Sequence, residues 1–66
     1  MSSKKEQILA SALELFVTLG FHGASTSAIA KNADISNGIL FHYFKTKEEL
    51  ITELYIEIKK DMMDAL

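Results

Sequence analysis

The chain has no cysteine, no proline and no arginine, and only three glycines in 66 residues. Without cysteine there are neither disulfides nor thiolate metal ligands, and nothing reports on a redox compartment. Without proline, and with Gly20, Gly23 and Gly38 falling where helices end or loops begin, an almost wholly helical chain is expected. The N-terminal stretch MSSKKEQILASALELF sets charges among its apolar residues, so it is expected to be neither a signal peptide nor a membrane span. No repeat or low-complexity tract appears. Sixty-six residues make one domain at most, close to the lower limit of what folds without a staple. A soluble, cytoplasmic protein with no metal and no cofactor is the expectation.

What is present is helix punctuation. Ser3-Lys4-Lys5-Glu6 is a capping-box pattern, followed by Ile8, Leu9, Ala12, Leu13, Phe16 and Val17 at three- and four-residue steps. Gly20 stops this helix, and Phe21 can fold back on its last turn, so the first helix spans about residues 3–19. His22-Gly23-Ala24 is a connector. Thr46-Lys47-Glu48-Glu49 is a second capping box and opens a helix over residues 47–66. Leu50, Ile51, Leu54, Tyr55, Ile58, Met62 and Leu66 form its apolar stripe, longer than the rest of so small a domain can cover. The expected core is Leu9, Ala12, Leu13, Phe16, Ile29, Ala33, Ile35, Leu40, Phe44, Leu50 and Leu54.

The most informative segment runs from Ser25 to Leu50, STSAIAKNADISNGILFHYFKTKEEL, and joins these two helices. Ser25 or Thr26 caps a helix over about 26–33, Asp34-Ile35-Ser36 breaks it, and Ser36 caps another over about 37–44. Two short helices meeting across a three-residue turn make a helix-turn-helix. Leu40 and Phe44 point the second of these inward. Gly38, Ile39 and His42 are left on its other side, with Asn37, Phe41 and Tyr43 at its edges. Asn37 can pair with adenine, Gly38 lets the backbone approach, and Ile39 either touches a thymine methyl or packs. His42 faces outward toward base edges. Phe41 is either a core aromatic or a flat surface against sugar and thymine methyl. Thr26 and Ser27 can cap their helix, donate to phosphate, or both.

Charge distribution qualifies the overall balance of −2. Over residues 15–47, Lys31, Lys45 and Lys47 against Asp34 leave +2, while residues 48–66 carry −4. The candidate DNA-facing part is therefore mildly basic and the last helix acidic. With no arginine, phosphate attraction is modest, and Lys31 and Lys45 supply nonspecific charge.

From about Gln7 to Leu54 the chain resembles the N-terminal DNA-binding domain of the TetR family of bacterial repressors. The matching features are ILASALELFVTLGF, Ile29-Ala30, Ala33, Ser36-x-Gly38, and Phe41-His42-Tyr43-Phe44-Lys45-x-Lys47-Glu48-x-Leu50. Asp34 stands where the family often has glycine, which is expected to tighten or tilt the turn, and Phe41 where tyrosine is common. The resemblance implies an all-α, homeodomain-like three-helix bundle with a long fourth helix. It divides the chain into a DNA-binding unit, residues 1–46, and a helix, 47–66, leading to a regulatory domain. It implies that Tyr43 and Lys47 contact the DNA backbone. Family behaviour further implies a homodimer, assembled through that C-terminal domain, on palindromic double-stranded DNA, with a small-molecule effector and no membrane partner.

An enzyme finds little support. His22 and His42 are far apart, no HExxH or EF-hand spacing exists, and no serine sits in a nucleophile elbow. The rival from another class is a helical interaction module that dimerises through its last helix and never touches DNA. It explains the apolar stripe but not the outward cluster of Gly38, His42, Tyr43 and Lys47.

Overall fold

The computed structural model describes residues 3–64, with side chains for residues 3–60. Four helices follow in order: α1 Lys4–Gly23, α2 Thr26–Asn32, α3 Asn37–Tyr43 and α4 Lys47–Asp64. Among the described residues there is no strand, and no helix is long and apolar enough to cross a membrane. The stripe residue Leu66 and the side chain of Met62 lie outside the described residues.

Each helix starts where a hydroxyl accepts a free amide. Ser3 accepts from Glu6 N at 3.1 Å, Ser25 from Ala28 N at 3.1 Å, Ser36 from Ile39 N at 3.1 Å and Thr46 from Glu49 N at 3.0 Å. The first capping box is modified: the Glu6 carboxylate accepts a hydrogen bond from the Ser3 hydroxyl at 3.3 Å. Gly20 breaks helical geometry with φ +79° and ψ 167°, a region that only glycine enters freely. The chain then makes one more turn to Gly23, so the connector is shorter than the expected His22-Gly23-Ala24. Ala24 is fully buried.

The α2–α3 turn explains Asp34. Ile35 N donates to Ala30 O at 3.0 Å and Asp34 N to Lys31 O at 3.1 Å, the paired bonds of a Schellman motif. That motif places its C′ residue in the left-handed region, and Asp34 has φ +61°. Asp34 thus adopts the backbone geometry glycine would supply, and aspartate tolerates it better than most residues.

Packing runs α1 against α2 and α4, and α2 against α3. The core is Ile8, Leu9, Ala12, Ile29, Ala30, Leu40, Phe44, Leu50 and Leu54, with Leu15, Phe16 and Ile35 half-buried around it. Ala33 is half-buried as well. Leu13 departs most from expectation at 40% exposed. Successive residues turn about 100° around a helix. The buried face of α1 is centred near Ile8, Ala12 and Leu15, and Leu13 falls beyond its edge.

On that face sits a polar residue, Ser11, 6% exposed. Its hydroxyl donates to Ile29 O at 2.9 Å and accepts from Asn32 Nδ2 at 2.9 Å, tying α1 to the middle and the C-terminal end of α2. Ser11→Ala is expected to cost ~1–2 kcal/mol through these bonds. That is a fall in melting temperature of roughly 4–15 °C for a domain of this size, checked by thermal circular dichroism. An unchanged melting temperature would show that the bonds contribute nothing to stability. The Lys5–Glu53 ion pair, 3.3 Å and partly exposed, joins α1 to α4 and adds little.

Candidate nucleic-acid interface

Helix α3 buries Leu40 alone, and Phe44 just past its end is 1% exposed. These two side chains pin the helix by one side. Asn37, Gly38, Ile39, Phe41, His42 and Tyr43 are all exposed, the three large apolar members at 42%, 39% and 40%. Phe41 lies outside the core. Ile39 likewise lies outside the core. His42 and Tyr43 meet edge to face at 5.3 Å between ring centroids, which orders the C-terminal end of this surface.

The start of α2 stands beside the start of α3. Asn37 Nδ2 donates to Ser27 Oγ at 3.2 Å, linking two residues ten apart in sequence. Ser27, Lys31, Asn37 and Ile39 line one open hollow between the two helices, with Ser36 and Asp34 on its wall. Lys31, expected to give only diffuse charge, therefore shares a concavity with three site residues. A seven-residue helix offers too little periodicity to fix which face one lysine takes. Thr26 is half-buried and Ser27 exposed. Since Ser25 is the cap of α2, the Ser27 hydroxyl is free of that duty.

Tyr43 and Lys47 lie apart from this hollow. Tyr43 borders a second concavity with Lys5, Glu49 and Thr52, between α3 and α4. Lys47 is half-buried at the first turn of α4. Its ammonium donates to the Phe21 carbonyl oxygen and stands 4.2 Å from the Phe21 ring centroid. Phe21 in turn packs on Phe16 at 5.7 Å, just beyond the Gly20 break. Lys47 thus braces the end of α1 against the start of α4, with two of its three N–H donors left over. The partner is 26 residues away, and no local pattern in the sequence announces it.

The surface has the ingredients of groove recognition: a helix anchored by one side, an amide, a bare backbone position, apolar contacts, and hydroxyls and lysines around them. Among the described residues no group of three His, Cys, Asp or Glu side chains stands close enough to hold a metal ion.

Comparison with known proteins agrees. Residues 8–54 match the sequence model described as bacterial regulatory proteins, tetR family. Over 64 residues the chain is 39% identical to the HTH-type transcriptional regulator RutR of Escherichia coli K12, covering 97% of this chain and 28% of RutR. It is 43% identical over 53 residues to the HTH-type transcriptional regulator UidR of the same strain, covering 80% of this chain and 27% of UidR. A crystal structure of a protein described as a tetR family transcription regulator from Shewanella sp. PV-4 superposes with a TM-score of 0.94 at 47% identity. That match covers 97% of this chain and 34% of the Shewanella one, so the chain spans between about a quarter and a third of its relatives' length. Over the greater part of its length, in sequence and in fold, the chain belongs to the tetR family of bacterial regulatory proteins.

Proposed function

We propose that this chain is the sequence-specific, double-stranded-DNA-reading head of a transcriptional repressor. The observation that carries the reading is α3 itself, pinned by Leu40 and Phe44 while six of its residues stay exposed. Asn37, Gly38, Ile39, Phe41 and His42 face base edges in the major groove. Thr26, Ser27, Tyr43 and Lys47 contact phosphate, and α2 crosses the backbone. The alternative, an interaction module that never meets DNA, leaves this exposed surface without a purpose.

Residues 1–46 form the DNA-binding unit, and residues 47–66 the helix leading to a domain that dimerises and binds a small-molecule effector. Two heads then sit on a palindromic site in the cytoplasm. The threefold or greater length of the relatives supports this organisation.

Gly38 separates binding from folding. A Cβ built there meets only Ser36 Oγ, at 3.7 Å, an ordinary contact. Gly38→Ala should therefore fold at least as well as the parent, gaining up to about 1 kcal/mol from helix propensity. Its affinity for the cognate site should nevertheless fall roughly tenfold or more, because the added methyl holds the backbone off the base edges. Parent affinity should drop steeply with salt, as phosphate contacts require. A Gly38→Ala protein that binds like the parent would take Gly38 out of the interface. A parent with no DNA association at low salt would leave the interaction-module reading standing.

A further inference from the structure

The hydrogen bond between Asn37 and Ser27 fixes more than helix placement. A side-chain amide has an acceptor corner and a donor corner, and half a turn about its last torsion exchanges them. Which corner meets the groove decides which bases fit. Adenine and cytosine present exocyclic amines there, N6 and N4, which donate; guanine O6 and thymine O4 only accept. A free asparagine serves both kinds.

Asn37 is not free. Its Nδ2 donates to Ser27 Oγ at 3.2 Å, and both residues line the same open hollow with Ile39. With the nitrogen held toward α2, the Oδ1 corner is the one turned away from it. The geometry points to Ser27 as a positioning residue that locks the Asn37 amide, so that Asn37 selects a base carrying an exocyclic amine. This rests on the groove-reading role proposed above, and gives it a specificity. Reversing the amide would aim Oδ1 at Ser27 and require the hydroxyl to donate. That arrangement keeps one bond but turns the amine toward guanine or thymine, so the two orientations predict opposite base preferences.

Ser27 suits such a test because it can be changed without touching the fold. It is exposed, the cap of α2 is Ser25, and no core residue depends on its hydroxyl. The 66-residue chain and its Ser27→Ala, Ser27→Thr and Asn37→Ala variants are each bound at low salt to a randomised duplex pool, and the bound fraction is sequenced. Circular dichroism melts confirm equal folding. Asn37→Ala identifies the base pair that Asn37 reads, as the position where preference disappears. The parent should favour adenine or cytosine there by about tenfold over guanine or thymine, the scale of one good base contact. Ser27→Ala should lower that preference to roughly threefold or less at this pair alone, on top of a uniform loss of affinity for the whole pool from the missing phosphate contact, and Ser27→Thr should restore both.

Four results overturn the inference while leaving DNA reading intact. In the first, Ser27→Ala weakens binding to every sequence alike with the preference at the Asn37 pair intact, which makes Ser27 a phosphate contact only. In the second, it shifts preference at a different pair, which makes it a direct reader. In the third it changes nothing, and in the fourth the parent prefers guanine or thymine at the Asn37 position. A parent with no sequence preference at any position is a different failure, since it removes the groove-reading role itself.

Discussion

Phe44→Ala is expected to unfold the domain, or to leave it without a cooperative transition in urea at room temperature. Phe44 is among the largest fully buried side chains, 1% exposed, at the point where α3 ends and the chain turns toward α4. Truncating a buried phenylalanine costs ~3–5 kcal/mol. A domain of this length has in total only about 3–10 kcal/mol to lose. Position adds to the effect, because Phe44 and Leu40 are what hold α3 at its angle. Leu13→Ala serves as the contrast. At 40% exposed, Leu13 should cost less than ~1 kcal/mol, although helical spacing alone places it in the core. Phe16, half-buried against Phe21, should likewise cost less than Phe44 when truncated. Urea titration followed by circular dichroism decides the matter. A Phe44→Ala variant with the parent's midpoint would show that the core is not centred where the structure puts it.

The contrast between Leu13 and Ser11 shows where sequence reasoning has its limit. Helix starts are legible because capping is local chemistry: Ser25, Ser36 and Thr46 each answer an amide three residues on. The Gly20 break is legible for the same reason. Which arc of α1 is buried is a different kind of fact, set by helices distant in sequence. Leu9, Leu13 and Phe16 make a plausible stripe, yet the buried arc is rotated toward Ile8, Ala12 and Leu15 and admits Ser11. A buried serine looks wrong until its acceptor, the Ile29 carbonyl 18 residues away, is in view.

The candidate site divides along the same line. That the outer side of α3 is left open follows from Leu40 and Phe44, whose apolar character is written in the sequence. The surface position of Phe41 is not, since an aromatic at the edge of a short helix suits either side. Lys47 shows the larger gap. As a lysine at the start of a helix it reads as a simple phosphate contact, but its ammonium is engaged by the carbonyl and ring of Phe21. Phosphate binding there must share the ammonium with the α1–α4 brace. Substituting Lys47 therefore tests stability along with binding, and Gly38 and Ser27 are the cleaner probes.

Joining two copies of the chain by a flexible linker is expected to raise its affinity for palindromic DNA by about a hundredfold over the single chain. One head offers few phosphate contacts: Thr26, Ser27, Tyr43 and a partly engaged Lys47, with no arginine and a net charge of −2 behind them. A single recognition helix also covers only a few base pairs. Once one head of a linked pair is bound, the second meets its half-site at an effective concentration in the millimolar range, provided that the linker spans the separation. If one head binds with a dissociation constant of about ten micromolar, in the middle of the ordinary nonspecific range, that factor is about 10². Linker length gives an internal control. A tether too short to span half-sites one helical turn apart, about 34–36 Å, should lose the gain altogether. The exposed apolar residues Tyr55, Ile56 and Ile58 on α4 can bring free chains together at high concentration, but such a pairing need not present two α3 helices at the right spacing. Titration of single and linked chains against the same palindromic duplex, near physiological salt, measures the difference. Equal affinities would mean that a lone head is already a complete binding unit, and the proposal of two heads on one palindrome would fall.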